Sequence, residues 1–129
     1  MLIVNEHEAL IVARSLGWSD EAPPEIAKRL DREKSVGTIA TLGAEGVFAS
    51  LQSEEITLSA PRVPVVDTTA AGDSFCGAFA AALDRGAAAS AALRFAVAAG
   101  SLACTKSGAQ TSVPFRVDIE KLANSVNSR

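Results

Sequence analysis

With 129 residues, of which 48% are hydrophobic and 21% charged, the chain has the composition of one globular domain with a real core, not of a disordered segment. Its formal net charge of −3 provides no broad basic surface for nucleic acid, and no apolar run reaches the roughly 20 residues of a membrane span. The opening MLIVNEHEAL lacks the basic start and small-residue cleavage site of a secretory signal. Cys76 and Cys104 lie in alanine-rich surroundings without metal-ligand spacing, so the expectation is a cytoplasmic protein with two reduced, buried thiols.

In chain order, Leu2–Val4 reads as a short buried parallel strand. Asn5 caps a helix over Glu6–Leu16, and Gly17 stops it. A proline-rich entry leads to a second helix over Glu25–Arg32, with Pro24 near its first turn. Val36–Leu42 reads as a strand ending in GAEG, and Val47–Leu51 and Glu55–Ser59 as further strands joined by a hairpin turn at Gln52–Ser53. Pro61 and Pro64 frame a connection ending at Val65–Val66. Helices then follow over Ala71–Leu83, closed by DRG, and over Ala88–Cys104. After the loop KSGAQTSVP comes a terminal helix over Val117–Val126. This order of elements predicts an α/β layered domain. A buried-type strand at the very start predicts that it lies at a sheet edge, or that the sheet is completed by something outside this chain.

The stretch VVDTTAAGDSF at positions 65–75 carries the chemistry. Ala70, Ala71 and Gly72 have little or no side chain, so a ligand can approach their amides closely. At a helix start those amides point outward with partial positive charge, a ready site for a phosphoryl group. Asp73, in the first turn beside them, can accept a proton from an attacking hydroxyl. Taken alone, an acidic first-turn residue does no more than complement the helix dipole.

The longer stretch DTTAAGDSFCGAF resembles the second signature of the ribokinase-like (PfkB) family of carbohydrate kinases, D-T-x-G-A-G-D-x-F-x-G. Asp67, Thr68, Ala71, Gly72, Asp73, Phe75 and Gly77 fall in register, and Ala70 replaces the usual first glycine. Three further segments follow in the family's order. Asn5 and Glu8 match its N-x-x-E motif, which orders Mg²⁺-bound water and phosphate; read locally, the same pair is a helix capping box. Thr41, Leu42, Gly43, Ala44, Glu45 and Gly46, followed by Val47, resemble its T-L-G-x-x-G-V turn, where nucleotide phosphates and ribose lie. Lys106–Pro114 resembles the G-A-Q-x-S-x-P loop of the ribokinase members, which with the Asp67 segment encloses a monovalent cation. By position, Asp67, Thr69, Ala103, Lys106, Gly108 and Ser112 would ligate K⁺ or a similar ion, several through carbonyl oxygens. Val97 stands where ribokinase members carry His or Asn beside the adenine.

The resemblance implies a layered ribokinase-like α/β fold present only as its C-terminal, nucleotide-binding half, a single partial domain without the sugar-binding half and lid. The implied activity is ATP-dependent phosphoryl transfer to a sugar hydroxyl, with ATP, Mg²⁺ and a monovalent cation as cofactors. Asp73 would be the base, and the amides of Ala70, Ala71, Gly72 and Asp73 the phosphoryl cradle. The alternative is a truncated, non-catalytic nucleotide-binding or assembly module. An uncovered sheet flank would favour self-association. His7, Arg62 and the side chain of Lys106 read as solvated surface groups.

Overall fold

The computed structural model describes residues 1–19 and 21–127. Asp20, at the start of the proline-rich entry, lies outside them. The chain divides into two compact units, Met1–Thr57 and Leu58–Arg129.

The first unit is an α/β layer. β1 (Leu2–Asn5) runs directly into α1 (Glu6–Ser15). The junction is a complete capping box: the Glu8 amide donates to Asn5 Oδ1, and the Asn5 amide donates to Glu8 Oε2, both at 2.9 Å. Two orphan donors of the helix start are thereby satisfied by sequence-local groups. α1 ends one residue earlier than expected, with Leu16 as its cap and Gly17 at φ +72°. α2 (Pro23–Lys34) begins two residues before the expected Glu25, because prolines cost nothing where the helix has no hydrogen bond to lose.

β2 (Thr38–Thr41), β3 (Val47–Leu51) and β4 (Glu54–Leu58) complete a sheet of order β1-β2-β3-β4. β1 pairs with β2 in parallel, and β2 with β3 antiparallel. β1 is thus an outer strand of this sheet among the described residues. Gln52 and Ser53, both at positive φ (54° and 68°), make the two-residue hairpin turn. Asp31 of α2 fastens this turn, accepting from Ser50 Oγ at 2.9 Å, Gln52 N at 3.2 Å and Ser53 N at 2.7 Å. Val4, Ala9, Ala13, Ile26 and Leu30 form a core beneath which Trp18 and Leu10 pack.

The second unit is helical: α3 (Ala71–Asp84), α4 (Ala89–Ala103) and α5 (Arg116–Ala123). α3 buries Ser74, Phe75, Ala78, Phe79 and Ala82, a pattern repeating every three to four residues, whereas α4 buries Ala92, Leu93, Ala96, Val97, Ala98, Ala99 and Ala103 and is enclosed on all sides in its middle. Alanine and glycine at the crossing let the two backbones come close. A Cβ on Gly100 would stand 3.2 Å from the Ala71 carbonyl oxygen.

The cysteines need correction. Cys76 is exposed, because the buried face of α3 runs through 74, 75, 78 and 79 and position 76 points away from it. Cys104 is only partly buried. Burial, helped by the nearby Asp67 charge, pushes its thiol pKa up. His7, Arg62 and Lys106 are exposed, as expected.

Candidate functional site

In the first unit, the capping box leaves Asn5 and Glu8 exposed at the end of β1. Asn5 is the register partner of Thr41 on β2, so these two predicted residues stand side by side at the carboxyl ends of two parallel strands. That is where α/β sheets commonly receive ligands. Thr41 Oγ1 donates to the Val4 carbonyl at 3.4 Å. Beyond Thr41 the chain makes a 3-10 turn over Gly43–Glu45, closed by Leu42 N to Gly46 O at 2.8 Å. Gly46 sits at φ 111° and ψ −126°, a conformation essentially restricted to glycine, and this explains its place in the motif. Gly43, Ala44 and Glu45 are exposed around this turn.

In the second unit, α3 starts at Ala71 with Ala70 as cap, and no side chain bonds the helix start. The Ala71 amide donates to Thr68 O at 3.2 Å, whereas the amides of Gly72 and Asp73 have no partner among the described residues. A Cβ built on Gly72 meets nothing within 4 Å, so the approach to these amides is open. The Asp73 side chain is exposed beside them. Asp73 and Ala70 also border a cavity of about 430 Å³ between α3, α4, α5 and the 109–114 loop. Val97 is 5% exposed on the packed face of α4 and does not line that cavity.

Asp67 ties the motif to the loop that follows α4. Its Oδ1 accepts from the Thr69 amide at 2.9 Å and from the Thr69 hydroxyl, and its Oδ2 accepts from the Gly108 amide at 3.1 Å. The Thr69 hydroxyl, then the Gly108 and Thr69 amides, hold this carboxyl below the usual aspartate range. The Val66 and Asp67 amides both donate to the Cys104 carbonyl, at 2.7 and 3.2 Å. Gly108 adopts φ +97°, and a Cβ there would meet Thr111 Oγ1 at 2.6 Å. Ser112, 1% exposed, donates its hydroxyl to the carbonyls of Gly108 and Ala109.

The carbonyls around this loop sort into two groups. Those of Leu102, Cys104, Ser107, Gly108 and Ala109 each accept a hydrogen bond. Those of Thr69, Ala103 and Lys106 accept none among the described residues. These three oxygens, with the Asp67 carboxylate, are hard donors of the kind an alkali cation takes. Of the expected ligands, Thr69, Ala103, Lys106 and Asp67 thus have oxygens of that kind, whereas the Gly108 carbonyl and the Ser112 hydroxyl are bonded to each other. The donation of the Thr69 hydroxyl to Asp67 was missed by sequence reasoning, although a threonine two residues after an aspartate is the signal for such a local turn. Among the described residues no group of three or more His, Cys, Asp or Glu could hold a metal. A magnesium ion near Asn5 and Glu8 would thus need phosphate and water for its remaining ligands.

The sequence profile described as pfkB family carbohydrate kinase matches residues 1–116. A ribokinase of Bacillus subtilis is 40% identical over 121 residues, which cover 94% of this chain and 38% of that protein. The crystal structure of a Cryptococcus neoformans ribokinase in complex with ADP superposes with a TM-score of 0.85 at 31% identity, covering 92% of this chain and 44% of that one. Phosphofructokinase-2 of Escherichia coli in complex with potassium gives a TM-score of 0.80 at 25% identity, covering 96% of this chain and 40% of that one. The chain thus spans less than half the length of each of these proteins.

Proposed function

The chain belongs to the pfkB family of carbohydrate kinases, and we propose that it supplies the nucleotide site and the catalytic base for ATP-dependent phosphoryl transfer to a sugar hydroxyl. The observation that carries this reading is the start of α3, where the partnerless amides of Gly72 and Asp73 stand next to the Asp73 carboxylate.

Asp73 takes the proton of the acceptor hydroxyl as its oxygen bonds to the γ-phosphorus, and the bond from phosphorus to the β–γ bridging oxygen breaks to release ADP. The amides of Gly72 and Asp73, with the small Ala70 and Ala71 beside them, stabilise the charge that spreads over the transferred oxygens. Asn5 and the Thr41–Gly46 turn would hold the nucleotide's phosphates and ribose; Val97, expected beside the base, is packed within α4's buried face instead. Asn5 and Glu8 would hold Mg²⁺ through water, and the ion would neutralise phosphate charge when bound. The three partnerless carbonyls of Thr69, Ala103 and Lys106, with Asp67, Gly108 and Ser112, would hold K⁺ or a similar ion and keep the loop beside α3 in place. The ADP complex of one related structure and the potassium complex of the other support a nucleotide and a monovalent cation. Among the described residues no helix is long and apolar enough to cross a membrane.

The alternative reading is a module that binds nucleotide without turning it over. Calorimetry with a non-hydrolysable ATP analogue, with and without ribose, combined with a transfer assay on wild type and Asp73→Asn, separates the two. Transfer that Asp73→Asn abolishes supports the first reading. Transfer that survives in Asp73→Asn at near wild-type rate removes Asp73 as base. Nucleotide binding with no turnover and no ribose dependence supports the second.

A further inference from the structure

α3 starts without a side-chain cap. Ala70 stands at the cap position, and no side chain bonds the first turn. A serine, threonine, aspartate or asparagine there would place an oxygen on the amide of the second or third helical residue and stabilise the helix. In α3 those residues are Gly72 and Asp73, whose amides the candidate phosphoryl site leaves open. A capping side chain would close that site. The direction of the helix start is therefore fixed by groups further back in the chain.

Those groups form a relay through residues 67–71. The Ala71 amide donates to the Thr68 carbonyl at 3.2 Å. Ala70 has φ −98° and ψ 5°, close to the third residue of a type I turn at about −90° and 0°. Residues 68–71 are thus a turn that feeds directly into α3, and the Ala70 carbonyl at its end accepts the Ser74 amide at 2.9 Å. Upstream, Asp67 does for the turn what Ala70 cannot do for the helix: its Oδ1 accepts the Thr69 amide at 2.9 Å, closing an Asx turn. Asp67 is itself anchored on the end of α4 and the loop beyond it, its amide on the Cys104 carbonyl and its Oδ2 on the Gly108 amide.

The Thr69 side chain locks this relay. Its hydroxyl donates to the same Oδ1 as its amide, so residue 69 is held on Asp67 by two bonds. Of the donors to Asp67, this hydroxyl does most to hold the carboxyl below the usual aspartate range. We propose that the Thr69 hydroxyl is a positioning group for phosphoryl transfer: by holding residue 69 on Asp67, it sets the turn at 68–71 and with it the direction of the Gly72 and Asp73 amides. The role belongs to the side chain and is separate from that of the Thr69 carbonyl as a cation donor. Its effect on rate rests on the kinase reading, whereas its effect on the amides stands without it.

The test uses the full chain with Thr69→Val, which keeps the branched shape and removes the hydroxyl, and Thr69→Ser, which keeps the hydroxyl. Ligand-free ¹H–¹⁵N spectra and phosphate transfer from ATP to ribose are measured for each. In Thr69→Val the Gly72 and Asp73 resonances should move. Its kcat should fall about fivefold or more, the loss expected for one hydrogen bond to a charged group, with KM for ATP nearly unchanged, because the amides act on the transferred group. Thr69→Ser should return the resonances and recover most of the lost rate. Unmoved Gly72 and Asp73 resonances in Thr69→Val, or a wild-type kcat in that variant, overturn the inference. So does a loss that Thr69→Ser fails to recover, since the hydroxyl is then not its cause. A raised KM with kcat unchanged also overturns it, by assigning the residue to uniform binding. A wild-type chain that transfers no phosphate removes the kinase reading; resonances that move in Thr69→Val and return in Thr69→Ser then leave the positioning of the amides standing.

Discussion

Gly100 of α4 lies directly against Ala71 of α3: a Cβ added at position 100 would stand 3.2 Å from the Ala71 carbonyl oxygen and 3.7 Å from Phe75 Cβ. Ala71 opens the helix whose first amides form the candidate phosphoryl site, so the crossing of two helices fixes where those amides point. Gly100→Val should cost about 1–3 kcal/mol through overpacking and should move the amide resonances of Ala71, Gly72 and Asp73. Gly100→Ala should do much less, since a shift of a few tenths of an ångström relieves it and the alanine gains helix propensity. Hydrogen exchange of α3 and α4 amides together with ¹H–¹⁵N spectra reads both effects. Unmoved Ala71–Asp73 resonances in Gly100→Val would show that the crossing does not set the helix start.

Gly77 presents the opposite case. It lies inside α3 with open space where its side chain would be. Gly77→Ala should stabilise the second unit by about 0.5–1 kcal/mol, because glycine loses the most backbone freedom in a helix. Slower amide exchange across α3 is the expected readout, and faster exchange would contradict it.

Asp31 and Asp67 make the two units acid-sensitive. Both carboxyls lie below the ordinary range: Asp31 chiefly through the Ser53 amide, Asp67 chiefly through the Thr69 hydroxyl. A group with a lowered folded pKa contributes stability above its unfolded value of about 3.9, and loses it as pH falls through the folded value. The urea midpoint of the first unit, read by Trp18 fluorescence, should hold steady down to about pH 4 and then fall. In Asp31→Asn that acid-dependent fall should be smaller. An unchanged pH profile in the variant would exclude Asp31 as its source.

Asn5 offers a way to separate capping from ligand binding. Asn5→Ala removes the cap of α1 and should cost about 1 kcal/mol. Asn5→Ser restores a capping oxygen and should recover most of that stability. If Asn5 also orients water at a magnesium–nucleotide complex, Asn5→Ser should still bind Mg·ADP more weakly than wild type in calorimetry. Equal affinity would leave the residue with its capping role alone.

Potassium should protect the loop after α4. Replacing tetramethylammonium chloride with KCl at constant ionic strength should slow exchange of the Gly108 amide, which donates to Asp67 Oδ2 at 3.1 Å. Asp67→Ala should abolish the difference. Identical protection in the two salts would argue against a cation held by Thr69, Ala103 and Lys106 carbonyls.

Features specified within a few residues were legible in the sequence. The Asn5–Glu8 capping box, the prolines opening α2, the Gln52–Ser53 turn and the alanine-rich α3 and α4 depend on local donors, fixed φ values and helical periodicity, which sequence spacing states directly. The four ordered motifs were legible for the same reason, each being a short run of small or polar residues at a strand end or helix start. What joins distant residues was decided only by tertiary structure. Asp67 receives the amide of Gly108 from 41 positions away, and Cys76 is exposed because α3 happens to bury 74, 75, 78 and 79 against its neighbour. Periodicity shows that a helix has a buried face, but for an alanine-rich helix apolar nearly all round it does not show which face. The cavity bordered by Asp73 is the exposed consequence of that choice, since it exists only where α3, α4 and α5 leave one side of the helix uncovered.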